Sequence, residues 1–191
     1  MKTIYLTSAA RADQLPKTIL PEFAFFGRSN VGKSSLLNAL LSHTGLARTS
    51  RTPGRTQMAN FFVVNDAWQF ADLPGYGFSK TPNKDTAAWQ ELMDAYIARP
   101  QIKRMLFLWD PRRELDKVDY GLLAALSDHA PVIFVMTKCD KLNRSETQKQ
   151  TQFFTSALTS RGIRLDAVFA VSSLKKIGIV DLREHLFHVK S

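Results

Sequence analysis

The sequence predicts an α/β fold: a mostly parallel, six-stranded sheet with helices on both faces and one antiparallel hairpin pair. Three observations predict it. Apolar runs alternate with amphipathic segments along nearly the whole chain, the pattern of repeated strand–helix units. The runs at 22–27 (EFAFFG) and 130–138 (APVIFVMTK) are apolar almost throughout, as strands buried on both faces are. Asn65-Asp66 stands between two further apolar runs, and such a pair suits a two-residue hairpin turn.

Taken in order, the strand at 22–27 is followed by a helix at 33–41 (KSSLLNALL). Residues 58–64 (MANFFVV) and 67–73 (AWQFADL) form the antiparallel pair around Asn65-Asp66. Residues 86–98 (TAAWQELMDAYIA) have apolar side chains at helical spacing. A strand at 104–110 (RMLFLWD) leads to a helix at 116–129, then to the strand at 130–138. Ser145 is the expected cap of a helix running to Gly162. A strand at 165–173 (LDAVFAVSS) and a helix at 178–189 complete the pattern. In open sheets of this kind ligands sit beyond the C-terminal strand ends.

Composition narrows the function. The 191 residues contain no apolar run near the roughly 18 needed to span a bilayer. The N-terminal MKTIYLTSAARADQLPK has no continuous apolar segment of the signal-peptide kind, so a cytoplasmic protein without membrane attachment is expected. Cys139 is the single cysteine, which excludes an internal disulfide and a cysteine-based zinc site. His185 and His188 are read as a half-solvated helix face rather than a metal pair. Lysines and arginines outnumber acids 26 to 17, for a net charge of +9, which suits either a polyanionic partner such as RNA or solubility alone.

The segment GRSNVGKSS joins the strand at 22–27 to the next helix, and Gly27, Gly32, Lys33 and Ser34 match G-x-x-x-x-G-K-[ST]. The two glycines let the backbone of Arg28, Ser29, Asn30 and Val31 wrap closely with its N–H groups inward on an anion. The helix N-terminus adds partial positive charge. Lys33 reaches the β- and γ-phosphates, and the Ser34 hydroxyl ligates Mg²⁺. Further on, FADLPGYGFSK places Asp72 at a strand end, 39 positions after Lys33. A carboxylate there holds the Mg²⁺ shell through water. Leu73 and Pro74 lead to Gly75, whose bare N–H is offered to a γ-phosphate. In the basic loop RTSRTPGRTQ, Thr49, Thr52 and Thr56 are all candidates to complete the metal shell, and spacing does not choose among them.

Base selection is read from VMTKCDKL. Asp140 accepts from guanine N1–H and its 2-amino group, whereas adenine would leave a buried acid unpaired. Lys138 lays its stem over the base and tethers the phosphate loop. VSSLKK supplies a backbone N–H from Ser173 or Leu174 to guanine O6. Taken alone, K-x-D carries little information; its order after the phosphate loop gives it value.

With GRSNVGKSSLLNAL, RTPGRTQ, DLPGYGF, TKCDKL and VSSLKKIGI together, the chain resembles the translation-factor-like P-loop GTPases, and within them the EngB (YihA/YsxC) family of bacterial ribosome-assembly GTPases. The resemblance implies a single GTP-binding domain over residues 1–191, read as a monomer. It implies slow GTP hydrolysis with Mg²⁺, a role in assembly of the large ribosomal subunit, and a link to cell division and septation. It selects Thr56 to join Ser34 on the metal, with Asp72 acting through water. It carries the GTP contacts over to Gly27–Ser34, to Gly54, Arg55, Thr56, Gln57 and Met58, to Asp72–Gly75, to Thr137, Lys138, Cys139 and Asp140, and to Val171, Ser172 and Ser173. Lys33, Thr56 and Gly75 carry hydrolysis on this reading.

Three departures stand out. Thr137 replaces the asparagine of Asn-Lys-x-Asp, as this branch commonly does. Cys139 fills the variable position and is read as structurally indifferent rather than as an oxidisable thiol. Tyr76 follows the switch glycine where many Ras-like GTPases have glutamine, so it is not expected to position water, and a poor intrinsic GTPase is predicted. Some related GTPases use an asparagine placed like Asn30 to bind K⁺, which makes K⁺ a second cofactor candidate.

The partners expected are GTP and GDP, the large ribosomal subunit or its precursor, and ribosomal RNA. Arg48, Arg51, Arg55, Lys80, Lys84, Arg99, Lys103, Arg104, Arg112 and Arg113 would meet that RNA if they share a face. The rival readings are a nucleotide-gated RNA-binding module and a small-molecule kinase; no inserted acceptor lid is apparent for the latter.

Overall fold

The computed structural model describes residues 1–43, 58–76 and 84–187. The element order is β1 (Thr3–Ala9), β2 (Glu22–Gly27), α1 (Lys33–Leu40), β3 (Ala59–Val64), β4 (Trp68–Asp72), α2 (Lys84–Ile97), β5 (Ile102–Trp109), α3 (Lys117–His129), β6 (Val132–Met136), α4 (Arg144–Thr159), β7 (Leu165–Ala170) and α5 (Ile179–Phe187). The sheet has seven strands in the order β1-β3-β4-β2-β5-β6-β7. Pairings are parallel except β1 with β3 and β3 with β4.

The β3–β4 hairpin has Val64 opposite Trp68, so its loop is Asn65, Asp66 and Ala67, one residue longer than expected; Asn65 and Asp66 both adopt left-handed backbone, with φ of 51° and 54°. Short polar side chains tolerate that conformation, which matches the strand twist. The expected antiparallel pair is therefore present. The seventh strand, β1, was absent from the sequence expectation. It sits at the sheet edge with Ile4, Tyr5 and Leu6 about half exposed, so it lacks the alternation that marks a half-buried strand. Its pairing to β3 makes it a strand.

Alternation across the sheet sorts the core into two layers. Phe23, Phe25, Phe70, Leu106 and Leu108 face α1 and α5, meeting Leu36, Leu40, Leu182 and Leu186. Ala24, Phe26, Phe107 and Phe134 face the other way, where α2, α3 and α4 bring Tyr96, Leu123, Leu126 and Phe154. Each fully buried phenylalanine contributes roughly 1.5–3 kcal/mol. Phe134 and Phe154 stack obliquely with centroids 4.8 Å apart, fixing α4 to β6.

Helix ends follow local chemistry. Asp116 caps α3, accepting from the N–H groups of Val118 and Asp119. α4 starts earlier than expected: Asn143, not Ser145, is the cap, in a reciprocal box with Glu146. That helix ends at Thr159, and Gly162 takes φ of 74° in the turn beyond.

At the sheet end where β2 begins, Glu22 is wholly buried. It accepts from the Tyr96 hydroxyl at 2.5 Å, from Arg99 Nη2 at 3.1 Å, and from the Gln69 amide. Burial pushes its carboxyl up, and these donors oppose the shift. The cluster anchors the C-terminal part of α2 far from the opposite strand ends.

Candidate functional site

Beyond the C-terminal end of β2 the chain turns tightly into α1. At Gly27 a Cβ would lie 2.8 Å from Val31 Cγ1 and 3.1 Å from the Leu108 carbonyl oxygen, so the loop closes only on glycine. Asn30 has φ of 61° and Gly32, the residue before α1, has φ of 106°. Gly32 has no side chain with which to cap α1, and the first turn of α1 holds no acid, an arrangement suited to an anion at its N–H donors.

Asp72, the last residue of β4, is buried and forms an ion pair with Lys33 Nζ. Gly75 lies against the same loop: a Cβ there would be 2.7 Å from Ser29 Oγ and 3.3 Å from the Ser29 nitrogen. Leu73 and Pro74, between them, are buried. Tyr76 makes an isolated parallel bridge to Arg28, so the backbone after β4 is stitched to the loop after β2.

The β6 end approaches the loop from the other side. Thr137 Oγ1 donates to the Val31 carbonyl at 2.7 Å and has the Trp109 carbonyl as an alternative acceptor at 3.1 Å. Lys138, with φ of 56°, reaches the Asn30 carbonyl at 2.9 Å and Asp110 at 3.2 Å. Asp110 is also clamped by Arg112 through both carboxylate oxygens, which holds it well below the usual carboxylate range. The Cys139 nitrogen donates to the Val171 carbonyl at 3.0 Å, joining the loops after β6 and β7. The buried Ser172 hydroxyl donates to Asp140 at 2.5 Å and lowers its pKa. Ser173 follows, half-buried, and Leu174 is exposed.

Four separate stretches, 27–34, 72–75, 137–140 and 171–173, are thus brought to one end of the sheet. Gly54, Arg55, Thr56 and Gln57 lie outside the described residues, as do Thr49 and Thr52. Met58 is described, half exposed, just before β3.

Residues 22–138 match the model of the 50S ribosome-binding GTPase family. The probable GTP-binding protein EngB of Geobacter metallireducens is 43% identical over 176 residues, spanning 91% of this chain and 85% of that one. Its counterpart in Porphyromonas gingivalis is 38% identical over 187 residues, spanning 97% and 93%. The chain belongs to the EngB family of GTPases. A solved structure of a probable GTP-binding protein engB shares the fold, with a TM-score of 0.62 at 22% identity, covering 88% of this chain and 97% of that one.

In this EngB-family chain the threonine at position 137 does structural work through its hydroxyl, joining β6 to the phosphate loop. Cys139 is buried, and burial pushes its thiol up, which disfavours the thiolate that oxidation needs. Tyr76 is buried, its hydroxyl donating to Asp119 at 2.9 Å. Sequence reasoning missed Asp110, Asp116 and Asp119, which belong to no recognised motif. Asp116 carries a local sign, a capping box with Asp119 three residues on.

Among the described residues, the basic side chains named above lie near both ends of the sheet. Arg99 is held by Glu22 and Arg104 by Asp166 at 2.6 Å, both near the strand starts. Arg112 and Arg113 follow the far end of β5, whose eight residues span roughly 23 Å at strand rise. His185 also pairs with Asp166, at 2.9 Å. His188, Arg48, Arg51 and Lys80 lie outside the described residues. Among the described residues, no group of three or more His, Cys, Asp or Glu is placed to hold a metal. No helix described is long and apolar enough to cross a membrane.

Proposed function

We propose that this chain is a cytoplasmic, monomeric GTP-binding switch that hydrolyses GTP slowly with Mg²⁺ and acts in assembly of the large ribosomal subunit. On this reading it is needed for normal cell division and septation. The observation that carries the nucleotide reading is the Asp140 carboxylate, held by Ser172 on a loop tied to the same sheet end as the Gly27–Ser34 turn. An acid whose nearest positive partner among the described residues is Lys141, at 3.9 Å, suits paired donors such as those on guanine.

Lys33 and Asp72 support the phosphate end. A polyphosphate drawing Lys33 away would leave Asp72 a buried carboxylate in need of a cation. Ser34 and, through water, Asp72 are hard oxygen donors suited to Mg²⁺, with Thr56 the third ligand on the family reading. The metal would neutralise phosphate charge there. Lys33 steadies the phosphates, Gly75 offers its N–H, and the Thr137 and Lys138 bonds hold the loop in shape.

The buried Tyr76 hydroxyl supports the slow rate, since a phenol held by Asp119 does not orient water. Asn30, exposed beside Lys33, remains the candidate K⁺ ligand. Equal hydrolysis in Na⁺ and K⁺ would remove that role. The net charge of +9 supports an RNA partner, and association with large subunits should weaken as salt rises.

The deciding experiment is a titration of GDP, GTP and ATP against wild type and Asp140→Asn. Guanine nucleotides should saturate wild type and lose about 100-fold or more in the variant, with ATP weak in both. Equal binding of adenine and guanine nucleotides, or of neither, overturns the reading. Tyr76 also favours a second reading, a nucleotide-gated RNA module in which turnover is incidental. Comparing ribosome release with GTP and with a non-hydrolysable analogue separates the two.

A further inference from the structure

Beside the phosphate loop lies a polar cluster that none of the nucleotide motifs accounts for. Asp119, in the first turn of α3, is wholly buried. Its carboxylate accepts from the Tyr76 hydroxyl at 2.9 Å, from Arg28 Nη1 at 3.1 and 3.2 Å, and from the Asp116 nitrogen at 2.9 Å. Arg28 also bonds Asp116 at 2.9 Å, and its guanidinium carbon lies 5.8 Å from the Tyr76 ring centroid. The Tyr76 ring also packs on Phe107, centroids 6.0 Å apart.

A buried carboxylate is stable only while donors surround it. Apart from its own helix, and among the described residues, Asp119 draws its donors from two places: the second residue of the phosphate loop and the residue that follows Gly75. If either segment moved away, the acid would be left short of a partner. The same arrangement presses Gly75 against Ser29, where a Cβ would not fit.

We propose that Asp119 is a positioning residue that latches Tyr76 to Arg28 and so holds Gly75 at the phosphate loop, which strengthens GTP binding and leaves GDP binding unchanged. The proposal rests on the guanine-nucleotide reading above. A γ-phosphate uses the Gly75 N–H, and with the latch closed that group is in place before binding. GDP has no γ-phosphate and draws nothing from the latch. Only such a difference between the two ligands can shift a conformational equilibrium.

Tyr76→Phe removes the hydroxyl, keeps the ring on Phe107, and leaves Asp119 with Arg28 and the Asp116 N–H. Asp119→Asn weakens the Arg28 pair while keeping an acceptor for Asp116. Affinities for GDP and for a non-hydrolysable GTP analogue are measured for each single variant and for the double. Each single should lose about 10-fold for the analogue and stay within about twofold for GDP. The double should be no more than about twofold weaker than the weaker single, because both act through one contact set. In steady state the KM for GTP should rise in Tyr76→Phe while kcat stays within about threefold, since saturating GTP restores the Gly75 contact.

Equal losses for both nucleotides, no loss for either, or additive losses overturn the latch. If Asp119→Asn does not fold, the GTP-to-GDP ratio of Tyr76→Phe decides alone, and an unchanged ratio overturns it. Wild-type protein that binds neither nucleotide overturns the guanine-nucleotide reading itself and the latch with it. Wild-type binding with an unchanged ratio in the variants overturns the latch only.

Discussion

Thr137 Oγ1 donates to the carbonyl oxygen of Val31 at 2.7 Å, so the end of β6 is fastened to the middle of the phosphate loop. The same hydroxyl lies 3.1 Å from the Trp109 carbonyl, which gives it a choice of two acceptors in a buried position. Replacing it with valine keeps the shape and removes the donor. Thr137→Val should therefore destabilise the protein by about 1–3 kcal/mol, read from urea denaturation. A change under about 0.5 kcal/mol would show that the bond contributes little.

Ser172→Ala tests how Asp140 is held. The serine hydroxyl lies 2.5 Å from the carboxylate and is the main cause of its lowered pKa. Without it, Asp140 loses orientation and its pKa rises toward the ordinary value. GDP affinity at neutral pH should fall by about 3- to 10-fold, the size of one hydrogen bond to a charged group. The acid limb of binding should also move to higher pH. Calorimetric titration across a pH series checks both.

Asp116 predicts a pH dependence of stability. Arg28 beside it lowers its carboxyl from 3.8 to about 2. Because the folded value lies below the unfolded one, its contribution is present above about pH 4 and is lost as pH falls toward 2. Asn caps helices as well as Asp does, so Asp116→Asn retains the start of α3 and removes the titration. The urea midpoint of the variant should fall less steeply than that of wild type between about pH 4 and pH 2. Parallel slopes would count against this account.

Gly178 is a backbone requirement. It has φ of 65°, and a Cβ there would sit 2.4 Å from the Ala170 carbonyl oxygen. That carbonyl is fixed main chain at the end of β7, so it cannot turn aside. The neighbouring Ser172 and Ile177 exchange backbone bonds of 3.0 and 3.1 Å, which shape the loop that carries Ser172 to Asp140. Gly178→Ala should cost about 2–4 kcal/mol of stability in denaturant titration. It should also weaken GDP binding more than Gly121→Ala, an exposed helix position whose added Cβ meets nothing within 4 Å.

Much of the architecture is legible locally. The β3–β4 hairpin is readable because Asn65 and Asp66 accept the left-handed backbone that a tight turn needs. β2 and β6 are readable because burial on both faces leaves nearly unbroken apolar runs. The start of α4 is displaced by one short step because Asn143 and Glu146 bond reciprocally and outcompete Ser145. β1 is not readable, since half-exposed Ile4, Tyr5 and Leu6 carry no alternating pattern. The pairing of Arg99 with Glu22 and of Arg104 with Asp166 is not readable either. Those acids are distant in sequence, and no spacing rule pairs them with the arginines.

From its residues alone this chain declared the strand-to-helix phosphate turn, the Asp72–Gly75 stretch and the Lys138-x-Asp140 motif, because each depends on neighbouring residues and on backbone that only certain side chains allow. Tertiary structure alone decided that Thr137 would grip Val31, that Ser172 would orient Asp140, and that Tyr76 would turn inward to Asp119. Those contacts join residues 106, 32 and 43 positions apart. Whether they meet depends on strand order and on which helix lies over each sheet face, and both emerge only when the whole core packs.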